Sequence, residues 1–345
     1  MSPSRIRRYS ALVLCCVAAS VAAVLPAPSP GAVRAVRAPA TKLPSQLLFV
    51  PSETGTIQIY GLKNLSKPLA QISGLQAYQD QMVVDAHGDL FVVNNGPYGN
   101  DDYVSEYAPP YNSAPTILNT VWQGETFYPV GVTVDANGTV YVTNWGAGVG
   151  ETPEIFEYPA GATSPATAVT SPLLGSLGGM SLDRNGNVYV LNEDPDSLGA
   201  DVFKLKPGSK KPIPLGLRGL LGIIRNSVAI DAEGDLYVSS AVTSDYVLEY
   251  QAGKTEPFRV IDRASWFQSG PLKLAVGPDD NVYVPVACTD SQCPEVYAYG
   301  PHGNQPLEQI GSQVFSAEGT MSVALAPNIA LQGSARTRPL SRRPQ

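Results

Sequence analysis

The apolar positions of this chain fall in short runs. From about residue 45 onward, clusters of Val, Leu, Ile, Tyr and Phe stop at Gly, Pro, Asn or Asp, and no stretch keeps the i, i+3, i+4 spacing of a long amphipathic helix. Such runs read as β-strands, so the body is expected to be all-β.

The runs also recur. Val84-Asp-Ala-His-Gly-Asp-Leu-Phe-Val-Val-Asn94 returns as Val134-Asp-Ala-Asn-Gly-Thr-Val-Tyr-Val-Thr-Asn144 and Leu182-Asp-Arg-Asn-Gly-Asn-Val-Tyr-Val-Leu-Asn192. It returns again as Ile230-Asp-Ala-Glu-Gly-Asp-Leu-Tyr-Val-Ser-Ser240, and more loosely from Val276 to Val286. Positions 85, 135, 183, 231 and 277 are separated by 50, 48, 48 and 46 residues. A second motif keeps phase with the first: Val104-Ser-Glu-Tyr107, Ile155-Phe-Glu-Tyr158, Val202-Phe-Lys-Leu205, Val247-Leu-Glu-Tyr250 and Val296-Tyr-Ala-Tyr299. In each unit the Asp carboxylate caps a tight turn, Gly takes the positive φ, and a Val/Tyr-rich strand follows. A third strand and a weaker, proline-flanked outer strand complete the unit, since Pro is tolerated at a sheet edge.

The ends of the repeat region supply one more unit. Leu47-Leu-Phe-Val-Pro51 resembles a second strand lacking a first, Ile57-Gln-Ile-Tyr60 matches the third-strand motif, and Met321-Ser-Val-Ala-Leu-Ala-Pro327 resembles a first strand lacking a second. Paired in space they make a sixth unit. The expectation is a six-bladed β-propeller of four-stranded antiparallel blades over residues 46–328, closed by pairing the C-terminal strand with the N-terminal strands.

The Asp-x-x-Gly-[Asp/Asn/Thr]-[Leu/Val]-[Tyr/Phe]-Val signature resembles that of the NHL-repeat, gluconolactonase/regucalcin-like and streptogramin-lyase-like group of six-bladed propellers, over residues 45 to 328. The resemblance implies the fold and a choice of functions. The Asn-Arg pair with which NHL copies usually continue is absent: Asn100-Asp-Asp-Tyr103 and Glu151-Thr-Pro-Glu154 stand there. Gluconolactonase-like relatives hold a divalent metal in the central channel, but their glutamate motif has no match here. Streptogramin lyases depend on a cleft histidine. His87 falls in a first-to-second-strand turn and His302 after a third strand, which argues against that chemistry.

Charge changes the picture once it is divided along the chain. Of 23 Lys/Arg, six lie in residues 1–42 and four in 333–345, both segments without acids, so residues 43–332 carry 13 bases against 30 acids, a net of −17. A body this acidic repels nucleic-acid phosphates, and no nucleic-acid partner is expected. Arg5, Arg7 and Arg8, the apolar run Ala11 to Leu25 and the small residues after it have the order of an export signal, with cleavage after Ala23, Ala35 or Ala38. Residues 1–38 are expected to be leader, 39–45 linker and 329–345 a disordered basic tail; the product is secreted or held in the cell envelope, without a transmembrane segment in the mature chain. Cys15 and Cys16 raise a lipoprotein alternative, against which Leu14 stands in a poor lipobox. In an exported chain, Cys288 and Cys293 then read as one disulfide, whose short loop contributes only about 2 kcal/mol.

Candidate chemistry gathers on one face. Loops after second strands present Asn94 to Asp102, Asn144 to Glu151 and Asn192 to Asp196. Their oxygen donors suit Ca²⁺, making Asp101, Asp102, Glu151, Glu193 and Asp194 candidate metal ligands, with a solvated acidic rim as the alternative reading. Tyr98, Tyr128, Trp145, Trp266 and Phe267 fall in same-face loops, where rings stack on a sugar, a peptide or another flat ligand, or simply pack the loops. Asp85, Asp135, Asp183 and Asp231 belong to the turn signature, and the recurrent tyrosines to blade packing. The expected function is a monomeric binding module for a protein, glycan or small-molecule ligand, with no catalytic residue assigned. The alternatives are a metal-dependent lactonase or hydrolase and a lyase.

Overall fold

Each Asp-x-x-Gly turn closes on its own carboxylate. Asp85 Oδ1 accepts the backbone N–H groups of His87 and Asp89, both at 2.8 Å, and Asp135, Asp183 and Asp231 receive the equivalent donors. Gly88, Gly138, Gly186 and Gly234 follow with φ between 76° and 92°, which a Cβ would strain. The turn sets the register of the first hairpin, and the strands follow from it.

The computed structural model describes residues 43, 45–52, 55–75, 78–95, 102–123, 125–126, 128–146, 152–193, 199–220, 227–240, 246–262, 272–286, 296–310 and 322–326. The expected leader, nearly all of the linker and the basic tail lie outside them. Blade 1 contains β1 (Leu47–Ser52), β2 (Thr56–Gly61) and β3 (Ala70–Ser73). Blade 2 is β4 (Tyr78–Val84), β5 (Leu90–Asn95), β6 (Tyr103–Tyr107) and β7 (Thr116–Leu118). A small hairpin, β8 (Val121–Trp122) with β9 (Glu125–Thr126), precedes blade 3, which is β10 (Pro129–Val134), β11 (Val140–Asn144), β12 (Glu154–Tyr158) and β13 (Thr167–Thr170). Blade 4 is β14 (Ser176–Leu182), β15 (Val188–Glu193), β16 (Ala200–Leu205) and β17 (Ile213–Pro214). Blade 5 is β18 (Val228–Ile230), β19 (Leu236–Ser240), β20 (Tyr246–Tyr250) and β21 (Arg259–Asp262). Blade 6 is β22 (Ala275–Val276), β23 (Val282–Pro285), β24 (Val296–Tyr299) and β25 (Pro306–Ile310). The last strand, β26 (Ala324–Ala326), returns to blade 1 and pairs antiparallel with β1, Leu47 opposite Ala326.

The structure is therefore an all-β, six-bladed propeller of four-stranded antiparallel sheets. Alternation along the strands explains why it closes. Leu47 and Phe49 pack with Met82, Leu90 and Tyr107 of blade 2, whereas Leu48 and Val50 pack with Tyr283, Val296 and Ile310 of blade 6. The same division repeats at every blade boundary, so six apolar clusters fill six interfaces. The recurrent tyrosines sit where the repeat predicts, with Tyr107, Tyr158 and Tyr250 buried between neighbouring blades. Trp122 of the small hairpin packs edge-on against Phe156 at 5.8 Å, covering blade 3.

Two predictions follow from this packing. Leu325 is 5 % exposed in the closing strand and Leu307 is 65 % exposed on an outer one, so Leu325→Ala should lower unfolding free energy in urea by about 2–5 kcal/mol, and Leu307→Ala by less than about 0.5 kcal/mol. Burial raises eight tyrosine hydroxyls above their usual range, Tyr107 and Tyr141 to about 12 and the others further. Because the unfolded phenols ionise near 10, the native state holds protons that the unfolded state releases. The associated stability is intact below pH 10 and is lost as pH rises through about 12. Tyrosinate absorbance and the loss of sheet signal should therefore change together in one alkaline transition.

Candidate functional site

Antiparallel blades sort their connections onto two faces. First-to-second and third-to-fourth-strand turns emerge on one, the turn face. Second-to-third-strand loops and blade-to-blade links share the other, the loop face. His87 lies between β4 and β5 and His302 between β24 and β25, so both histidines of the chain stand on the turn face.

On the loop face, Tyr98, Asp101, Glu151, Asp194, Trp266, Phe267, Cys288 and Cys293 lie outside the described residues. Tyr128 and Trp145 are described and come together, half-buried, with ring centroids 5.8 Å apart and planes tilted by 50°. Asn144 positions both. Its Oδ1 accepts the Tyr128 N–H at 2.9 Å, its Nδ2 donates to the Thr152 carbonyl at 2.9 Å, and the Trp145 N–H donates to the Tyr128 carbonyl at 3.0 Å. Asn192 likewise accepts the Gly175 N–H at 2.7 Å, and Asn94 donates to Ser105 Oγ at 2.8 Å. The Asn at the end of the second strand thus ties the incoming link to the sheet in blades 3 and 4, and in blade 2 bonds across to β6. Asp102 and Glu193 are both buried, and among the described residues neither joins a group of three His, Cys, Asp or Glu side chains close enough to share an ion.

Beneath the loops the propeller axis is sealed by polar groups. Lys273, 1 % exposed, reaches across the ring, donating from Nζ to the Val130 carbonyl at 3.0 Å and pairing with Asp80 Oδ1 at 3.1 Å. Gln81 Oε1 accepts the N–H groups of Val132 and Met180, at 3.1 and 3.0 Å, while Nε2 donates to the Met180 carbonyl at 2.7 Å. One side chain thereby joins three inner strands. Register shifts in β4, β10 and β14 lie at this level, where a bulge re-aims side chains toward the axis. The approach is close enough to demand glycine: a Cβ on Gly131 would stand 2.6 Å from Thr143 Oγ1, and one on Gly179 2.7 Å from Ser227 Cβ. On the turn-face side of this plug remains an axial cavity of about 60 Å³, bordered by Met82, Met180, Ile230 and Val276. It is far below the roughly 300–1,000 Å³ of small-molecule sites. A cavity of this size does not admit a small-molecule ligand.

Sequence reasoning passed over the plug, though a signal was present. Lys273 interrupts the apolar run Leu272 to Val276, and Gln79-Asp-Gln81 occupies an inner strand that is Leu177-Gly-Gly179 in blade 4. It also passed over two turn-face clusters, Asp85 with His87 and Asp89, and Asp235 with Glu249 and His302. In the second, Glu249 is fully buried between Arg259 Nε at 2.5 Å and His302 Nδ1 at 2.7 Å, so its charge is balanced. In the first, burial and then the neighbouring Asp85 carboxylate hold Asp89 above the usual carboxylate range; burial, Asp89 and Asp85 do the same to Glu106.

No family model matches the chain, and no curated protein matches it. Among solved structures, a protein of unknown function from Bacteroides caccae superposes with a TM-score of 0.58 at 11 % identity, covering 82 % of this chain and 100 % of its own. That likeness is one of fold. The plug gives a direct prediction: Lys273→Met strands the Asp80 charge and should cost about 3–5 kcal/mol in urea unfolding, and adding Asp80→Asn should return part of that loss.

Proposed function

We propose that this propeller is an exported binding module of the NHL-like group that takes a protein, glycan or small-molecule ligand on its loop face. The observation that carries the reading is the plug: Lys273, Asp80 and Gln81 close the axis and leave a polar floor below the loops. Above it Asn144 holds Tyr128 and Trp145 as a half-buried aromatic pair, the kind of rigid, amphipathic surface on which a flat ligand stacks. A lyase of the streptogramin type is disfavoured, because both histidines stand on the opposite face. A lactonase remains the second reading, supported by the acids in loops on the same face and by the oxygen chemistry they offer a cation.

The test exposes mature protein to immobilised glycan and peptide arrays, with Trp145→Ala, Tyr128→Ala and the rim variant Leu307→Ala beside it. Binding should fall at least tenfold in the first two, equivalent to about 1.4 kcal/mol, and stay unchanged in the third. Divalent-metal-dependent lactone hydrolysis lost in Asp102→Ala and Glu193→Ala would replace this reading with the lactonase. N-terminal sequencing of the product recovered outside the cytoplasm tests export, since processing should remove the first 23 to 38 residues.

A further inference from the structure

The turn of blade 2 departs from its siblings, and the departures converge on one carboxylate. In blades 4 and 5 a tyrosine hydroxyl donates to the turn aspartate, Tyr189 to Asp183 Oδ2 and Tyr237 to Asp231 Oδ2, both at 3.2 Å; in blade 6, where Gly277 holds that position, Tyr283 donates to Asp279 Oδ2 at 2.9 Å. Blade 2 has Phe91 in that register, which has no donor to offer. Asp85, its side chain 8 % exposed, therefore keeps its inner oxygen on the turn N–H groups and turns Oδ2 toward His87 Nδ1 at 3.2 Å.

The surrounding charges depart too. His87 stands where blades 3, 4 and 5 have Asn137, Asn185 and Glu233, and Asp89 where blades 3 and 4 have Thr139 and Asn187 and blade 5 has Asp235. Across the sheet, Lys204 lies opposite Tyr189 in blade 4 and brings its ammonium to 3.9 Å from Asp183, whereas Glu106 lies opposite Phe91 in blade 2, as Glu157 lies opposite Tyr141 in blade 3. In blade 5 the equivalent Glu249 is neutralised by Arg259. Among the described residues no lysine or arginine pairs with Asp85, Asp89 or Glu106. Blade 2 thus lacks its siblings' hydroxyl donor and gathers an imidazole and three carboxylates with no lysine or arginine paired to them, a charge that a bound cation would offset.

We propose that Asp85 Oδ2, His87 and Asp89 form a binding site for a divalent transition-metal ion, Zn²⁺ foremost, on the turn face of blade 2. One ligating atom from each lies within 4.8 Å of the others. Bonds of about 2.0–2.2 Å around one tetrahedral ion set ligand atoms about 3.3–3.6 Å apart, so the ligands must draw together, which the His87 ring, 80 % exposed, has room to do. An imidazole with two carboxylates selects Zn²⁺ or its first-row neighbours over the all-oxygen preference of Ca²⁺. Glu106 supplies negative charge behind the ligands, and water fills the open positions. The ion does for this turn what Tyr189 and Lys204 do for blade 4.

Chelator-treated full-length protein titrated with ZnCl₂, followed by calorimetry and thermal melting, tests the site. The expected result is saturable binding with a rise in Tm, at least tenfold weaker in His87→Ala and in Asp89→Asn. Both side chains lie at an exposed turn, so both variants should fold. Phe91→Tyr, which restores the sibling hydrogen bond, should also weaken binding, whereas Asp102→Asn with Glu193→Gln should leave it unchanged. Paramagnetic Co²⁺ should shift the ring resonances of His87 before those of His302. Absence of Zn²⁺ binding, binding undiminished by His87→Ala or Asp89→Asn, or a Co²⁺ response led by His302 would each overturn the assignment.

Discussion

Every blade of this protein is apolar on both sides, and that constraint organises the rest. A sheet that alternates Leu47 and Phe49 toward one neighbour with Leu48 and Val50 toward the other cannot end an array. It must be covered twice, and a ring is the arrangement in which six such sheets all are. The same alternation places inner strands around a narrow axis. Wherever three of them bring backbone groups inward, those groups need partners. Gln81 and Lys273 supply them, and the bulges in β4, β10 and β14 stand at the same level.

Much of this was written in the chain. The Asp-x-x-Gly turns, their spacing and the two unpaired fragments at residues 47–60 and 321–327 suffice for blade number and closure, because local turn chemistry and period-two patterning act through neighbours in sequence. The structural role of Asp135 and its counterparts was legible for the same reason. The plug was not, since it depends on contacts over long separations: Lys273 meets Val130 from 143 residues away and Gln81 meets Met180 from 99. A lone lysine in an apolar run signals something unusual, but its partner is chosen by the ring. At the loop face, Tyr128 and Trp145 are two of the five aromatics that the sequence places in same-face loops, and the structure brings these two into contact. The asparagines beside them, read among the loop oxygen donors, fasten each incoming link to the second strand of its own blade.

The two faces differ in how they are built. On the turn face each first-to-second-strand connection of blades 2 to 5 is a short self-capped loop that repeats with small changes, so a departure such as His87 stands out against its siblings. On the loop face connections are longer and unlike one another, and variation there alters a surface without disturbing the sheets below. Binding on such a face is compatible with a rigid scaffold, which holds the anchoring Asn144 and the floor at Asp80 in fixed relation.

The joining of β26 to β1 also governs when this molecule can become itself. The strand that flanks Leu47–Ser52 on the axial side is the last of the ring to be synthesised, nearly the whole chain later. Until it arrives, β1 presents an open edge and blade 6 an uncovered flank, so the circle cannot lock while the polypeptide is still emerging.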